Sequence, residues 1–339
     1  MTLSSIGWSD RFARQMIQFP GCIPARVSQS HRDHYLVWTE AGEQAASPAG
    51  KLREKGQLWP TTGDWVALRE GGAIEAVLDR ATVLERKQPG RTSREQILAV
   101  NLDVLLVVTG LDHDFNPRRL ERYLILAQEG GIRPVLVLNK ADLHDNPAAV
   151  VREARSLASG IPVFAMSATE GWGMEDLHEL IGAGETAALA GSSGTGKSTI
   201  VNRLTGQAAQ ATQPVREHDS RGRHTTTHRE LFLLDHGWLL MDLPGIRELQ
   251  LLGGVESVEE VFADIRSVAE RCRFRDCQHD AEPGCMVRQE IDPARLAAWR
   301  KLRREADHAQ RQVDLGAALI EKQRWKAIHK AMRKFPRQG

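Results

Sequence analysis

Gly191-Ser192-Ser193-Gly194-Thr195-Gly196-Lys197-Ser198 (GSSGTGKS) decides how this 339-residue chain is read. It matches G-x-x-x-x-G-K-[ST], follows the apolar stretch Ala187–Ala190, and opens a helix-forming segment, Ser198–Leu204, that ends near Gly206. In that strand–loop–helix setting the glycines let backbone N–H groups approach phosphate oxygens, and the helix N-terminus adds a favourable dipole. Lys197 is expected to reach the β- and γ-phosphates and Ser198 to bind Mg²⁺.

Upstream of this loop lies the reader of the base. Asn139-Lys140-Ala141-Asp142 (NKAD) follows an apolar run ending at Leu138. A carboxylate at Asp142 can accept hydrogen bonds from guanine N1–H and the exocyclic amine, a donor pair that adenine lacks. The Lys140 stem can lie over the base, and Asn139 can tie neighbouring loops together. Ser167-Ala168, after the apolar run Ile161–Met166, is placed to offer a backbone N–H to guanine O6.

Downstream, Asp242-Leu243-Pro244-Gly245 follows Trp238–Met241. Asp242 can hold Mg²⁺ through water, and the Gly245 N–H can touch the γ-phosphate. Between these motifs lies Arg221–His228 (RGRHTTTH), where one threonine should complete the Mg²⁺ shell. Thr227 is favoured, with Thr226 next. Ile246 occupies the position where many GTPases carry a water-orienting Gln, and Ile cannot orient water. His224 is the nearest candidate for that task; the alternative is an exposed loop histidine. Guanine-nucleotide domains ordinarily run phosphate loop, threonine switch, DxxG, NKxD. Here NKAD and Ser167-Ala168 come first, so the set is complete but circularly permuted, and the chain passes from the DxPG motif into the C-terminal region within about twenty residues.

The fold class follows from the pattern around these motifs. Leu102–Thr109 is a continuous apolar run, as in a strand covered on both faces, and Asn116-Pro117 is a helix cap followed by a first-turn proline. Pro134–Leu138 and Ile161–Met166 continue an α/β alternation that indicates a mostly parallel sheet with helices on both faces. Leu231–Leu234 and Trp238–Met241 flank Asp235-His236-Gly237 as a hairpin. Residues 22–90 differ: Ala25–Val27, Tyr35–Trp38, Asp64–Arg69 and Ala73–Leu78 read as short strands of a small barrel or sandwich. Tyr35, Trp38, Trp59 and Trp65 there supply either stacking faces for nucleic acid or the core of the barrel, the core being favoured.

Cys272-x4-Cys277-x-His279-x5-Cys285 gathers three thiols and one imidazole, a set suited to one closed, tetrahedral and therefore structural Zn²⁺. Clustering of three of only four cysteines argues against a disulfide framework and for a reducing compartment. The start of the chain lacks the apolar stretch of a signal peptide, and no run approaches the length of a membrane span, so a cytoplasmic protein with no membrane partner is expected. Net charge is +1 overall, but residues 295–339 carry thirteen Lys/Arg against four Asp/Glu, a net of +9, leaving −8 on the rest. Such a tail is either a solvated helix face or a docking surface for an anionic partner.

Gly63-Asp64-Trp65-Val66 in the barrel-like segment, the permuted motif order, Gly222–Thr227 (GRHTTT) and the C-x4-C-x-H-x5-C cluster together resemble the RsgA (YjeQ) family over about residues 22–290. These are ribosome small-subunit-dependent GTPases of bacteria. The resemblance implies an N-terminal OB-fold and GTP hydrolysis stimulated by the small ribosomal subunit during its late maturation. It also implies guanine binding by Asn139, Lys140 and Asp142, phosphate binding by Gly191–Thr199, and zinc at Cys272, Cys277, His279 and Cys285. The expected organisation is a multidomain α/β chain: an N-terminal extension (1–21), an OB-type RNA-binding barrel (22–92), a circularly permuted P-loop G domain (97–262), and a zinc-binding domain with a basic helical tail (263–339). Expected partners are GTP or GDP with Mg²⁺, and the small subunit with its rRNA; the protein itself is expected to be a monomer. Two other readings remain open on the residues: a permuted GTPase acting on the large subunit or another RNA, and a GTP-gated RNA-binding protein of low turnover.

Overall fold

The computed structural model describes residues 1–31, 34–53, 58–87, 95–112, 114–158, 160–206, 229–243 and 254–311. Its contacts divide the chain into two units, Met1–Leu249 and Gln250–Gly339.

The first unit opens with helix α1 (Asp10–Met16) and then a barrel of β1 (Cys22–His31), β2 (His34–Thr39), β3 (Gly42–Pro48), β4 (Trp65–Arg69) and β5 (Ala73–Val77). Neighbours run β1-β2-β3-β5-β4, and β4 pairs back onto β1, so the sheet closes. The β3–β5 pairing is parallel and the rest are antiparallel. Closure removes the unpaired edges that a small open sheet would expose. Ala25, Val27, Tyr35, Val37, Val66, Leu68 and Ile74 fill the barrel. Tyr35, Trp38 and Trp65 are buried, while Trp59 is exposed, so most of these aromatics are core.

A separate hairpin, β6 (Val83–Lys87) with β7 (Glu95–Val100), leads into the second part of this unit. There β8 (Val104–Gly110), β9 (Arg133–Asn139), β10 (Val163–Ala165), β11 (Thr186–Ala190), β12 (Glu230–Leu233) and β13 (Leu239–Asp242) lie in the order β10-β9-β8-β11-β13-β12. All neighbours are parallel except the hairpin β12–β13. Every residue of β8 is buried, as its unbroken apolar sequence requires of a strand covered on both faces. Helices α2 (Pro117–Glu129), α3 (Pro147–Leu157), α4 (Met174–Leu180) and α5 (Lys197–Thr205) connect the parallel strands. The Asn116 side chain accepts the Arg119 N–H and Pro117 takes the first turn; Asn146-Pro147 repeats the arrangement at α3.

The barrel and the parallel sheet are hydrogen-bonded to each other. β1 pairs antiparallel with β12 at Gln29 and Glu230, whose side chains bond at 2.6 Å. Ile6, Trp8 and Phe12 of the preceding segment pack beside this seam. Trp8 meets Trp65 edge-on at 4.6 Å, Phe12 lies 5.8 Å from the same ring, and Gln15 bonds the Asp79 backbone. The fully buried Arg26 links three parts of the chain, donating to Ile6 O, to Asn101 O at 3.3 Å and to Thr186 Oγ1 at 2.8 Å. Desolvation lowers its pKa to about 10, with Asp103 and Asp64 opposing that shift, so it stays charged at neutral pH.

The second unit contains α6 (Val255–Val261), α7 (Ala263–Ala269), α8 (Met286–Glu290) and a helix α9 at 293–311. Its core includes Val258, Phe262, Ile265, Val287, Leu296, Trp299 and Leu302. Part of the basic region is consumed here. Arg295 is buried and grips Asp264 through two 2.9 Å bonds, and Arg303 lies over the Trp299 ring at 5.1 Å. These arginines are structural, whereas Lys301 and Arg304 are exposed. The remainder of the tail, 312–339, lies outside the described residues.

Arg26→Ala should destabilise the first unit by about 3 kcal/mol or more, because a cavity opens and three buried acceptors lose their donor. Denaturant unfolding of the first-unit signal measures this; an unchanged midpoint would count against Arg26 as the seam's anchor.

Candidate nucleotide site and metal centre

The motifs separated in sequence meet along one edge of the sheet. Asn139 ends β9, the Ser167 turn follows β10, Gly191 follows β11 and Asp242 ends β13, all at the carboxyl ends of parallel strands. That edge is where open α/β sheets bind ligands, since helix N-termini and flexible loop backbones face it. The phosphate-loop residues curl from β11 into α5. Gly191 (φ 145°) and Gly196 (φ 92°) have backbone conformations that favour glycine. A Cβ at Gly191 would run into Val108 O, and one at Gly196 into the Asn139 amide. Thr195 is fully buried with its hydroxyl on Ser192 O at 3.1 Å; Ser193 and Gly194 are exposed at the mouth. Lys197 Nζ donates to Gly191 O at 2.9 Å and to Ser192 O. Ser198 and Thr199 occupy the first turn of α5.

Asn139 is the joint of the site. Its buried amide donates to Thr195 O at 2.8 Å and accepts from the Ala168 N–H at 3.0 Å, tying the NKAD strand to the phosphate loop and to the Ser167-Ala168 turn. Both backbone N–H groups of Ser167-Ala168, one of which is expected to face guanine O6, are engaged within the protein in this structure, Ala168 by Asn139 and Ser167 by Trp172 O at 3.1 Å. Lys140 adopts a left-handed backbone (φ 63°), and its ammonium pairs with Asp112 at 2.5 Å. Ala141 is buried beneath it, and Asp142 is exposed. Ser167 pairs with Trp172 across a tight turn and its hydroxyl accepts the Glu170 N–H at 3.2 Å. His224, Thr226, Thr227, Gly245 and Ile246 lie outside the described residues.

Two contacts of this site have no motif to announce them. Asp112, on the β8–α2 loop, pairs with Lys140, and Arg203 of α5 donates to Ala168 O and Thr169 O at 3.0 and 2.9 Å. Both depend on folds of the chain that bring residues 28 and 35 positions apart together, so no local pattern marks them.

In the second unit, Cys272, Cys277, His279 and Cys285 bring their ligand atoms within 4.8 Å of one another. His279 Nδ1 lies 3.7 Å from Cys272 Sγ and 3.5 Å from Cys285 Sγ. A tetrahedron with ordinary Zn–S and Zn–N bonds has an S···N edge of about 3.6 Å, so this donor set fits a closed zinc site. Desolvation opposes the Cys272 thiolate, but bonds from the Val287 and Met286 backbone at the start of α8 hold its pKa below the ordinary thiol value. Cys277 is pushed up to about 11, by desolvation first and then by the neighbouring sulfurs. Three sulfurs this close cannot all ionise without a cation among them, which is what a metal would supply. The Arg300 guanidinium bonds His279 O, and the imidazole packs 5.8 Å from the Trp299 ring, so α9 supports the ligand loop.

Asn139→Ala should lower affinity for guanine nucleotides by about 10- to 100-fold, since it removes two buried hydrogen bonds and leaves their partners unpaired. Asp142→Asn should weaken GTP binding and gain XTP binding; fluorescence titration with both nucleotides checks this, and unchanged GTP affinity would remove Asp142 as base reader. Cys277→Ser should lose the metal and loosen residues 266–290 while nucleotide binding persists. Elemental analysis of the purified variant is the measurement, and full metal retention would argue against this ligand set.

Residues 77–252 match the family model described as RsgA GTPase, and residues 186–337 match one described as 50S ribosome-binding GTPase. A protein of Opitutus terrae, "Small ribosomal subunit biogenesis GTPase RsgA", is 43% identical over 98% of this chain and 97% of its own length. One of Syntrophotalea carbinolica with the same name is 40% identical over 100% of this chain and 97% of its own length. The crystal structure of YjeQ from Thermotoga maritima superposes with a TM-score of 0.63 at 26% identity, covering 84% of this chain and 98% of that one. YloQ, described as a circularly permuted GTPase, gives a TM-score of 0.62 at 21% identity over 85% of this chain and 96% of its own, a likeness of fold. With the closed barrel, the permuted motif order and the Cys/His cluster already in view, the chain belongs to the RsgA family and is a GTPase.

Proposed function

We propose that this GTPase acts in maturation of the small ribosomal subunit, in the cytoplasm, as a nucleotide-gated checkpoint whose hydrolysis the subunit itself stimulates. The observation that carries the nucleotide half of this reading is the Asn139 joint, which gathers the candidate base-reading and phosphate loops at one sheet edge. The ribosomal half is supported by the names of the full-length relatives.

In this reading Gly191–Thr199 cradle the phosphates, with Lys197 countering their charge, and Asn139, Lys140, Ala141, Asp142 and Ser167-Ala168 select guanine. Ser198 and Thr227 would hold Mg²⁺, which neutralises phosphate charge when bound, with Asp242 acting through water. Cys272, Cys277, His279 and Cys285 would hold one structural zinc per chain. Gly245 would follow the γ-phosphate, and His224 would place water in the role that Ile246 cannot fill. The exposed Trp59 and the outward-facing basic residues of α9 supply a stacking face and charge suited to rRNA. Among the described residues no helix is long and apolar enough to cross a membrane.

A second reading, action on the large subunit, is favoured by the 50S description of the model matched at 186–337. GTP turnover with isolated subunits separates them. Slow intrinsic hydrolysis should rise by about 10³–10⁵-fold on small subunits, the range reached when a group in trans completes a GTPase site. Greater stimulation by large subunits would favour the second reading. His224→Ala should depress stimulated turnover far more than GTP affinity. Truncation after residue 295 would remove part of the second unit's core, so charge reversal at Lys301 and Arg304 is the better test of docking; it should weaken subunit binding and flatten its salt dependence. Retained stimulation in the first variant, or unaltered binding across a salt series in the second, would reassign those roles.

A further inference from the structure

We propose that Arg119 is a positioning residue for the phosphate loop, holding its first turn in place through Ser192 from the N-terminus of α2. This rests on reading residues 191–198 as the phosphate loop. The Arg119 guanidinium donates to Ser192 Oγ and, through the same nitrogen, pairs with Asp114 Oδ1 at 2.5 Å. Asp114 is itself fixed, because the Thr109 hydroxyl at the end of β8 donates to its carbonyl at 3.2 Å and to its carboxylate at 3.4 Å. The Arg119 backbone N–H is held by the Asn116 cap at 3.2 Å. Main chain and side chain are thus both fastened before the guanidinium reaches the loop.

One helical turn later on the same face, the buried Tyr123 hydroxyl bonds the Gly191 backbone. Two side chains of α2 therefore grip the first two residues of the loop, about seventy positions further along the chain. Within the loop, Lys197 and the Thr195 hydroxyl hold the carbonyls of Gly191 and Ser192, and Asn139 holds that of Thr195. Those bonds engage main-chain carbonyls, whereas the Ser192 side chain is held by Arg119. Because Asp114 already neutralises much of the guanidinium charge, the contribution is geometric. Carboxylate and hydroxyl both meet one terminal guanidinium nitrogen, which arginine carries one bond further from the backbone than lysine carries its ammonium, so lysine does not reach the pair.

Nucleotide affinity of the full-length chain is the measurement, with Mg²⁺ and fluorescent GTP and GDP as probes. Arg119→Ala should lose about tenfold in affinity for both nucleotides, the value of one charge-assisted hydrogen bond, while intrinsic kcat moves less than about threefold. Arg119→Lys should not restore the loss. Ser192→Ala should show the same defect, and the double variant should be no worse than either single one, because both remove one interaction. Unaltered affinity in Arg119→Ala, rescue by lysine, or additive losses in the double variant would each overturn the proposal. If Arg119→Ala fails to fold, Ser192→Ala removes one hydroxyl only and decides the matter by itself; wild-type affinity there overturns the proposal. Lys197→Ala separates the two levels. Nucleotide binding retained in that variant overturns the phosphate-loop reading, whereas binding lost there and intact in Arg119→Ala overturns the role of Arg119 alone.

Discussion

A single buried amide holds the nucleotide edge together. Asn139 donates to the phosphate loop at Thr195 and accepts from the turn at Ala168, so three loops drawn from distant parts of the chain share one hydrogen-bonding centre. Asparagine suits this position because one planar group presents both a donor and an acceptor, and both are used. Glycine at 196 is the counterpart, since any side chain there would displace the amide. Arg203 secures the same turn from α5, and the β8–α2 loop secures the flanks through Asp112 and Asp114. These loops are cross-braced by polar contacts, because buried polar groups such as those of Asn139, Ser167 and Thr195 must find partners within the protein.

Circular permutation leaves this edge intact. The six strands meet in the order β10-β9-β8-β11-β13-β12, and the loops cluster at their carboxyl ends whichever motif the chain visits first. What permutation changes is the connections. The barrel precedes the sheet and is stitched to it through β1 and β12, with Arg26, Trp8 and Trp65 filling the seam. The second unit begins after Leu249 and holds the Cys/His cluster among its helices. That unit is ordered by an apolar core around Val258, Phe262, Ile265 and Trp299 and by the grip of Arg295 on Asp264, and a metal held among the sulfurs would add to it.

Local sequence determined a good deal. The unbroken apolar run of β8, the Asn-Pro caps of α2 and α3, the glycines of the phosphate loop and the spacing of the Cys/His ligands each encode their own geometry within a few residues, and each is found where that encoding puts it. The order of motifs made the permutation legible without any coordinates. The parallel alternation was likewise readable, because strands covered on both faces differ in composition from the half-exposed strands of the barrel.

Only the tertiary structure decided the rest. Strand β3, with Glu43, Gln44 and Ala45 exposed, and helix α1, short and mixed in composition, carry weak periodic signals and exist because their neighbours give them partners. Arg295 and Arg303 count as tail charge in the sequence but are spent on Asp264 and Trp299 within the second unit. Arg26, Arg203 and Arg119 look like ordinary surface arginines along the chain. Their roles come from partners 160, 35 and 73 residues away, and a contact at that distance is written in no local pattern, only in the packing that brings the two ends together.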